Sequence, residues 1–225
     1  MGTFCDINID DRPLCFESKT KWDALERVHQ ATLILGIFGF VLVAIGGHLL
    51  VDVTQEGEIS DAADEIFQSA GRLDIVVNNA GVAEFDSDIV SESVKAIDRT
   101  LATNLRGPML VCKHMVPLLL QTDGGRVVNV SSGMGALGEE QSGGSPAYRV
   151  SKTGLNGLTA YLHGEYADQG LLANSVCPGW VQTEMGGEDA DRSIEEGAAT
   201  PTWLSRFRPE SPAGLFWRDR EVIDW

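Results

Sequence analysis

The chain has 225 residues and carries 33 acidic against 17 basic side chains, a formal net charge of −16. That length suits one α/β domain, while the charge argues against a nucleic-acid partner, whose phosphates it would repel. The four cysteines, Cys5, Cys15, Cys112 and Cys177, show no C-x-x-C spacing and no histidine at ligand distance, so neither a metal site nor a disulfide framework is expected, and a reducing cytoplasm is the default setting.

The first thirty residues are polar and irregular, with two helical turns expected over 22–29. Residues 31–51 then carry no formal charge, a run long enough to cross a bilayer as a helix. Lys19, Lys21 and Arg27 precede it, which would keep the N-terminus cytoplasmic. The same run also reads as a buried strand and helix of a parallel sheet, whose members are apolar throughout. Both readings stand, a membrane anchor or a sheet interior.

From Leu49 onward apolar runs alternate with helical stretches. Leu49–Val53 reads as a strand, Ile59–Phe67 as an amphipathic helix, and Leu73–Val77 as a strand ending in Asn78-Asn79-Ala80-Gly81. Ser91–Leu120 reads as a long helix broken near Gly107-Pro108. Arg126–Val130 is the next strand, followed by a helix from about Pro146 to Tyr166 or Ala167 and a strand at Leu172–Val176 before Pro178-Gly179. The alternation predicts an α/β fold, a doubly wound parallel sheet of Rossmann type, over residues 48–225. Residues 1–47 form an atypical N-terminal segment.

The chemistry gathers at the strand ends, where such sheets bind ligands. Tyr148 and Lys152 stand four residues apart in a helix and so share a face. A free phenol titrates at about 10 and a lysine at about 10.4; an ammonium held beside the phenol favours phenolate and makes tyrosine a usable proton donor and acceptor. Taken alone, the pair reads equally as a surface tyrosine stacked on a lysine stem. Ser132, just past a strand, can hydrogen-bond a substrate carbonyl or simply cap a turn. Asn104 lies in a helical stretch that it favours poorly, where it can interrupt the helix and hold a water. Thr183, in Pro178-Gly179-x-x-x-Thr183, can reach a cofactor amide.

In this order, Asp52-Val53, Asn78-Asn79-Ala80-Gly81, Asn104, Val130-Ser131-Ser132, Tyr148-x-x-x-Lys152 and Pro178-Gly179 resemble the short-chain dehydrogenase/reductase family from about residue 49 to the end. The stretch 143–157 and the tail Phe216-Trp217-Arg218-Asp219-Arg220 are similar to its carbonyl-reductase-like branch. The resemblance implies an oxidoreductase that moves hydride between NADP, or NAD, and a carbonyl or alcohol. In it Tyr148 is the general acid and base, Ser132 polarises the carbonyl oxygen, Lys152 tunes Tyr148 and binds the ribose hydroxyls, and Asn104 holds a water for proton resupply. Asp52 and Val53 would flank the adenine, Asn79, Ala80 and Gly81 the ribose and phosphates, and Pro178, Gly179, Val181 and Thr183 the nicotinamide end.

One family element is missing. The glycine-rich T-G-x-x-x-G-x-G turn, which holds the pyrophosphate on backbone amides at a helix N-terminus, has no counterpart; Gly36, Gly39, Gly46 and Gly47 lack its spacing and read as packing glycines. The N-terminal segment is then a replaced or out-of-frame stretch, a membrane anchor on a degenerate enzyme, or a divergent fold with its own cofactor mode. The rival to the enzyme is an idle, reductase-like remnant that binds no nucleotide. The substrate is expected to be closed over by the acidic region from Glu184 to Trp203, with Met185 and Trp203 as apolar wall or core. A homo-oligomer paired through the long helices is expected, in the cytoplasm or anchored with its catalytic part cytoplasmic.

Overall fold

The computed structural model describes residues 47–85, 87–139 and 141–225, together with 5–6, 14–15, 32–35 and 40–43. Two short strands, β1 (Cys5–Asp6) and β2 (Leu14–Cys15), pair antiparallel in a sheet of their own. The main sheet contains β3 (Thr32–Leu35), β4 (Phe40–Val43), β5 (Gly47–Leu50), β6 (Ile75–Asn78), β7 (Arg126–Val130), β8 (Leu172–Val176), β9 (Phe216–Arg218) and β10 (Glu221–Ile223), in the order β10-β9-β8-β7-β6-β3-β4-β5.

Between β3 and β9 the sheet is parallel, because a helix carries the chain back after each of β6, β7 and β8. α1 (Glu56–Ala70) precedes β6; α2 (Val94–Leu101) and α3 (Gly107–Leu119) lead to β7; α4 (Pro146–Tyr166) leads to β8; α5 (Ile194–Ser205) leads to β9. β8 and all four residues of β6 are buried, as strands covered on both faces must be. Their side chains alternate. Val76, Val127 and Ala173 meet Ile59, Val111, Met115 and Leu162 of α1, α3 and α4, while Val77, Val128 and Val176 meet Leu204 of α5 together with Phe207 and Trp217.

The other half of the sheet is built differently. β4 runs antiparallel to β3, and β5 antiparallel to β4. Only residues 36–39 and 44–46 separate these strands, and a parallel crossover needs a dozen or more, so this half is a meander without crossover helices. Two reversals restore the direction of β3, and β5 therefore delivers Val51 and Asp52 to the carboxyl edge of the sheet. There the Asp52 carboxylate accepts the Thr54 N–H at 2.9 Å and its hydroxyl at 2.8 Å, a turn that leads into α1, whose first turn carries Glu56 and Glu58.

Three expectations change. The apolar run forms strands β3, β4 and β5 rather than one spanning helix, and among the described residues no helix is long and apolar enough to cross a membrane; its β-branched residues favour extended backbone and its glycines disfavour a helix interior. The strand expected over 49–53 ends at Leu50, since Asp52 turns the chain. The long helix is interrupted not at Gly107-Pro108 but by a π turn over Ala102–Arg106, and Pro108 sits in the first turn of α3, where its missing N–H is harmless. The turns expected at 22–29, and Gly36, Gly39 and Gly46, lie outside the described residues.

Candidate active site

Four side chains foreseen from the sequence converge at the carboxyl edge of β6 and β7. Tyr148 lies in the first turn of α4, where burial pushes its phenol up to about 12 and the nearby Ser132 hydroxyl acts in the opposite direction. Lys152, one turn along, is 4 % exposed, and its Nζ donates to the Val130 carbonyl at 2.8 Å and stands 5.5 Å from the Tyr148 ring centroid. Burial pulls that ammonium down to about 8. The phenol is thus raised, where its neighbouring cation was expected to lower it.

Ser132 caps the short turn Gly133–Gly135, its Oγ accepting the Met134 N–H at 3.2 Å, so it fills the turn role and the site role together. The turn lies against α4 so closely that a Cβ at Gly135 would stand 2.6 Å from the Cβ of Lys152. The Cys177 Sγ accepts the Gly133 N–H at 3.1 Å. Asn104 is fully buried within the π turn. Its Oδ1 accepts the Val82 N–H and its Nδ2 donates to the Val82 carbonyl, each at 2.8 Å, and Nδ2 also donates to the Ser151 Oγ at 3.1 Å. A π turn of this kind is common at functional sites, and here it ties the loop after β6 to α4.

A model of the family described as short chain dehydrogenase matches residues 47–193. The chain belongs to that family. An oxidoreductase of Thermotoga maritima is 39 % identical over 132 residues, covering 57 % of this chain and 51 % of its own, so the chain spans about half the length of that relative. Carbonyl reductase [NADPH] 1 of Rattus norvegicus is 31 % identical over 219 residues, with 78 % of each covered. The NADPH-bound carbonyl reductase from chicken fatty liver superposes with a TM-score of 0.71 at 27 % identity, covering 79 % of this chain and 76 % of that one. This short chain dehydrogenase is therefore carbonyl-reductase-like, and an oxidoreductase by family.

The residues expected to hold a nicotinamide cofactor fit it unevenly. At the inner end, Gly81 is buried and open toward the catalytic groups: a Cβ there would stand 3.6 Å from Lys152 Nζ and 3.7 Å from Asn104 Oδ1. Ala80 is buried beside it and Asn79 half-buried. Pro178 and Gly179 leave β8 next to Cys177, and Arg192 packs on Gly179, donates to the Pro178 carbonyl at 3.3 Å and clasps Asp219 through both its terminal nitrogens at 2.6 and 2.9 Å. Thr183 is engaged within its own loop, accepting the Gly186 N–H at 3.1 Å and donating to the Val181 carbonyl at 3.3 Å, while Val181 packs on Gly197. At the outer end, Val53 is buried against Gly107 and Asp52 is exposed. Between the two ends, β3 is followed by the antiparallel β4, and among the described residues no helix stands between them.

Two side chains read differently in this short chain dehydrogenase. Phe85, a lone aromatic in the loop after β6 and not foreseen as part of the site, is half-exposed with its ring 6.4 Å from that of Tyr148. Trp203 takes the core reading; it packs edge-on against Phe207 at 4.6 Å and Trp217 at 5.2 Å. Beneath the site a buried polar chain crosses three neighbouring strands: Asn78 Nδ2 donates to Asn129 Oδ1 at 2.7 Å, Asn129 Nδ2 to Thr159 Oγ1 at 2.7 Å, and Thr159 meets Ser175 at 2.7 Å.

Proposed function

We propose that this short chain dehydrogenase reduces a small-molecule carbonyl compound, and in reverse oxidises the alcohol, with NADP as its nicotinamide cofactor and NAD as the second choice. The cofactor supplies the hydride. Tyr148 gives its phenol proton to the carbonyl oxygen, and in alcohol oxidation the phenolate takes that proton back. Ser132 donates to the same oxygen and orients it. Lys152 offsets the charge left on Tyr148 and reaches the ribose hydroxyls, and Asn104 holds a water through which the proton is replaced. Asn79, Ala80 and Gly81 border the ribose and phosphates, Pro178, Gly179, Val181 and Thr183 the nicotinamide, and Asp52 and Val53 the adenine. Residues 48–225 carry all of this chemistry.

The observation that carries this reading is the buried Lys152 at a carboxyl sheet edge, its Nζ bonded to the Val130 carbonyl at 2.8 Å and 5.5 Å from the Tyr148 ring centroid, beside the Ser132 turn. A general acid of this kind contributes about 10²- to 10⁴-fold. Carbonyl reduction measured by NADPH consumption is expected to fall by about that factor in Tyr148→Phe, and near-normal turnover in the variant would refute the assignment. The preference for NADP rests on the rat and chicken carbonyl reductases, whose names carry NADPH.

A partner of the same kind is part of the proposal. A groove of about 820 Å³ between α3 and α4, lined among others by Leu105, Met109, Val116, Leu158, Tyr161 and Tyr166, supports pairing with a second copy through these helices. Sedimentation of a monomer at micromolar concentration would contradict it.

A further inference from the structure

Helix α4 carries both Tyr148 and Lys152, yet its own N-cap provides nothing. Ser145 sits in the left-handed region with φ 57° and makes no side-chain cap, so the first N–H groups of the helix need partners from elsewhere. One comes from fifty-five residues upstream: the Glu92 Oε2 accepts the Ala147 N–H at 3.1 Å. Glu92 is 8 % exposed, and Ala147 and Ser145 are 5 % and 1 % exposed, so the bond forms away from water, where an unmet donor is costly. A carboxylate at a helix N-terminus is also favoured by the helix dipole.

The surroundings hold Glu92 in that place. Asp88 closes the preceding turn, its Oδ1 accepting the Ser91 N–H at 2.8 Å and the Val90 N–H at 3.1 Å, and Ser93 caps α2 by accepting the Ala96 N–H at 3.1 Å. Ser145 N–H donates to the Ser87 carbonyl at 2.9 Å. The Arg149 Nε donates to the Gly144 carbonyl at 2.8 Å and its guanidinium also to Ser142, which folds the loop before α4 back onto the helix. One turn further along, Asn104 of the π turn that follows α2 donates to Ser151. Tyr148 therefore lies between two ties, at Ala147 and at Ser151, to the segments that flank α2.

We infer that Glu92 is a positioning residue of the reductase site, whose carboxylate caps α4 and thereby sets Tyr148 against Ser132. The inference rests on the proposed reductase chemistry for its kinetic consequence and on geometry alone for the cap. Misplacing a reacting group by an ångström can cost about 10²-fold. In Glu92→Ala, kcat for carbonyl reduction is expected to fall by roughly 10- to 100-fold while the substrate KM and the far-ultraviolet circular dichroism stay near those of the parent. Glu92→Gln keeps an acceptor oxygen in the same place and is expected to recover most of the loss.

The decisive measurement is amide hydrogen exchange at Ala147 in the full chain, run beside the kinetics. The account expects exchange at least about 10-fold faster in Glu92→Ala and restored protection in Glu92→Gln, which corresponds to losing and regaining a buried hydrogen bond. Unchanged protection in Glu92→Ala would overturn the cap. Faster exchange with unchanged kcat would overturn the positioning role. Because exchange is read without turnover, a parent protein that reduces no carbonyl would refute the proposed function while leaving the cap to stand or fall by itself.

Discussion

The two halves of the main sheet use the same strand direction to different ends. Each of β6, β7 and β8 hands the chain to a helix, so their carboxyl ends open into loops, and those loops carry Gly81, Ser132 and Pro178 while α4 brings Tyr148 and Lys152 across them. From β3 to β5 the chain returns through residues 36–39 and 44–46, and β5 reaches the carboxyl edge only because two reversals cancel. Parallel crossovers create ligand-binding edges; a meander fills the same sheet positions without making one. The residues proposed to handle the proton therefore gather in one half, and among the described residues of the other no helix N-terminus stands between β3 and β5.

The largest expected effect tests whether the parallel half holds the chain together. Phe216 of β9 is fully buried, clustered with Ala136 after the Ser132 turn and with Cys177, and its ring stacks on Trp225. Phe216→Ala should lower stability to denaturant by about 3–5 kcal/mol, and a loss under about 1 kcal/mol would move the stabilising core elsewhere.

Next in size is the buried ammonium. With Lys152 drawn from 10.5 to about 8 by burial, the folded chain binds fewer protons than the unfolded chain between those values. Stability contributed at this site then rises with pH from about 8 to 10.5. Relative to Lys152→Met, the parent should gain roughly 3 kcal/mol across that window, read by chemical denaturation at several pH values; parallel pH profiles would show the ammonium to be hydrated. The smallest effect belongs to the rim. The Arg192–Asp219 pair is largely open to water, with Asp219 58 % exposed, so Asp219→Asn should cost less than about 1 kcal/mol and less still at high salt.

The parallel half was legible in the sequence for physical reasons. β7 and β8 are short valine- and leucine-bearing stretches, Arg126–Val130 and Leu172–Val176, set after glycine turns, and α4 starts at Pro146, a residue suited to a first helical turn. Asn104 was readable as an interruption, but not as a π turn, since one extra residue leaves hydrophobic periodicity almost unchanged. β9 escaped because three residues set among Pro, Gly and charged neighbours give no alternation to read. The apolar run at 31–51 satisfied both helix and strand patterns, and only pairing of β3 with β6 distinguishes them. Phe85 and Glu92 act through partners 63 and 55 positions away, contacts that no local spacing encodes.

The most direct test of the divided site is titration of the purified chain with NADPH and NADH, followed by cofactor fluorescence, with Lys152→Met as the comparison. The account predicts saturable binding of NADPH by the parent, weakened in the variant because the ammonium beside Gly81 is lost. Absence of binding at millimolar cofactor would contradict it and leave a reductase fold that keeps its proton donor without a hydride to match.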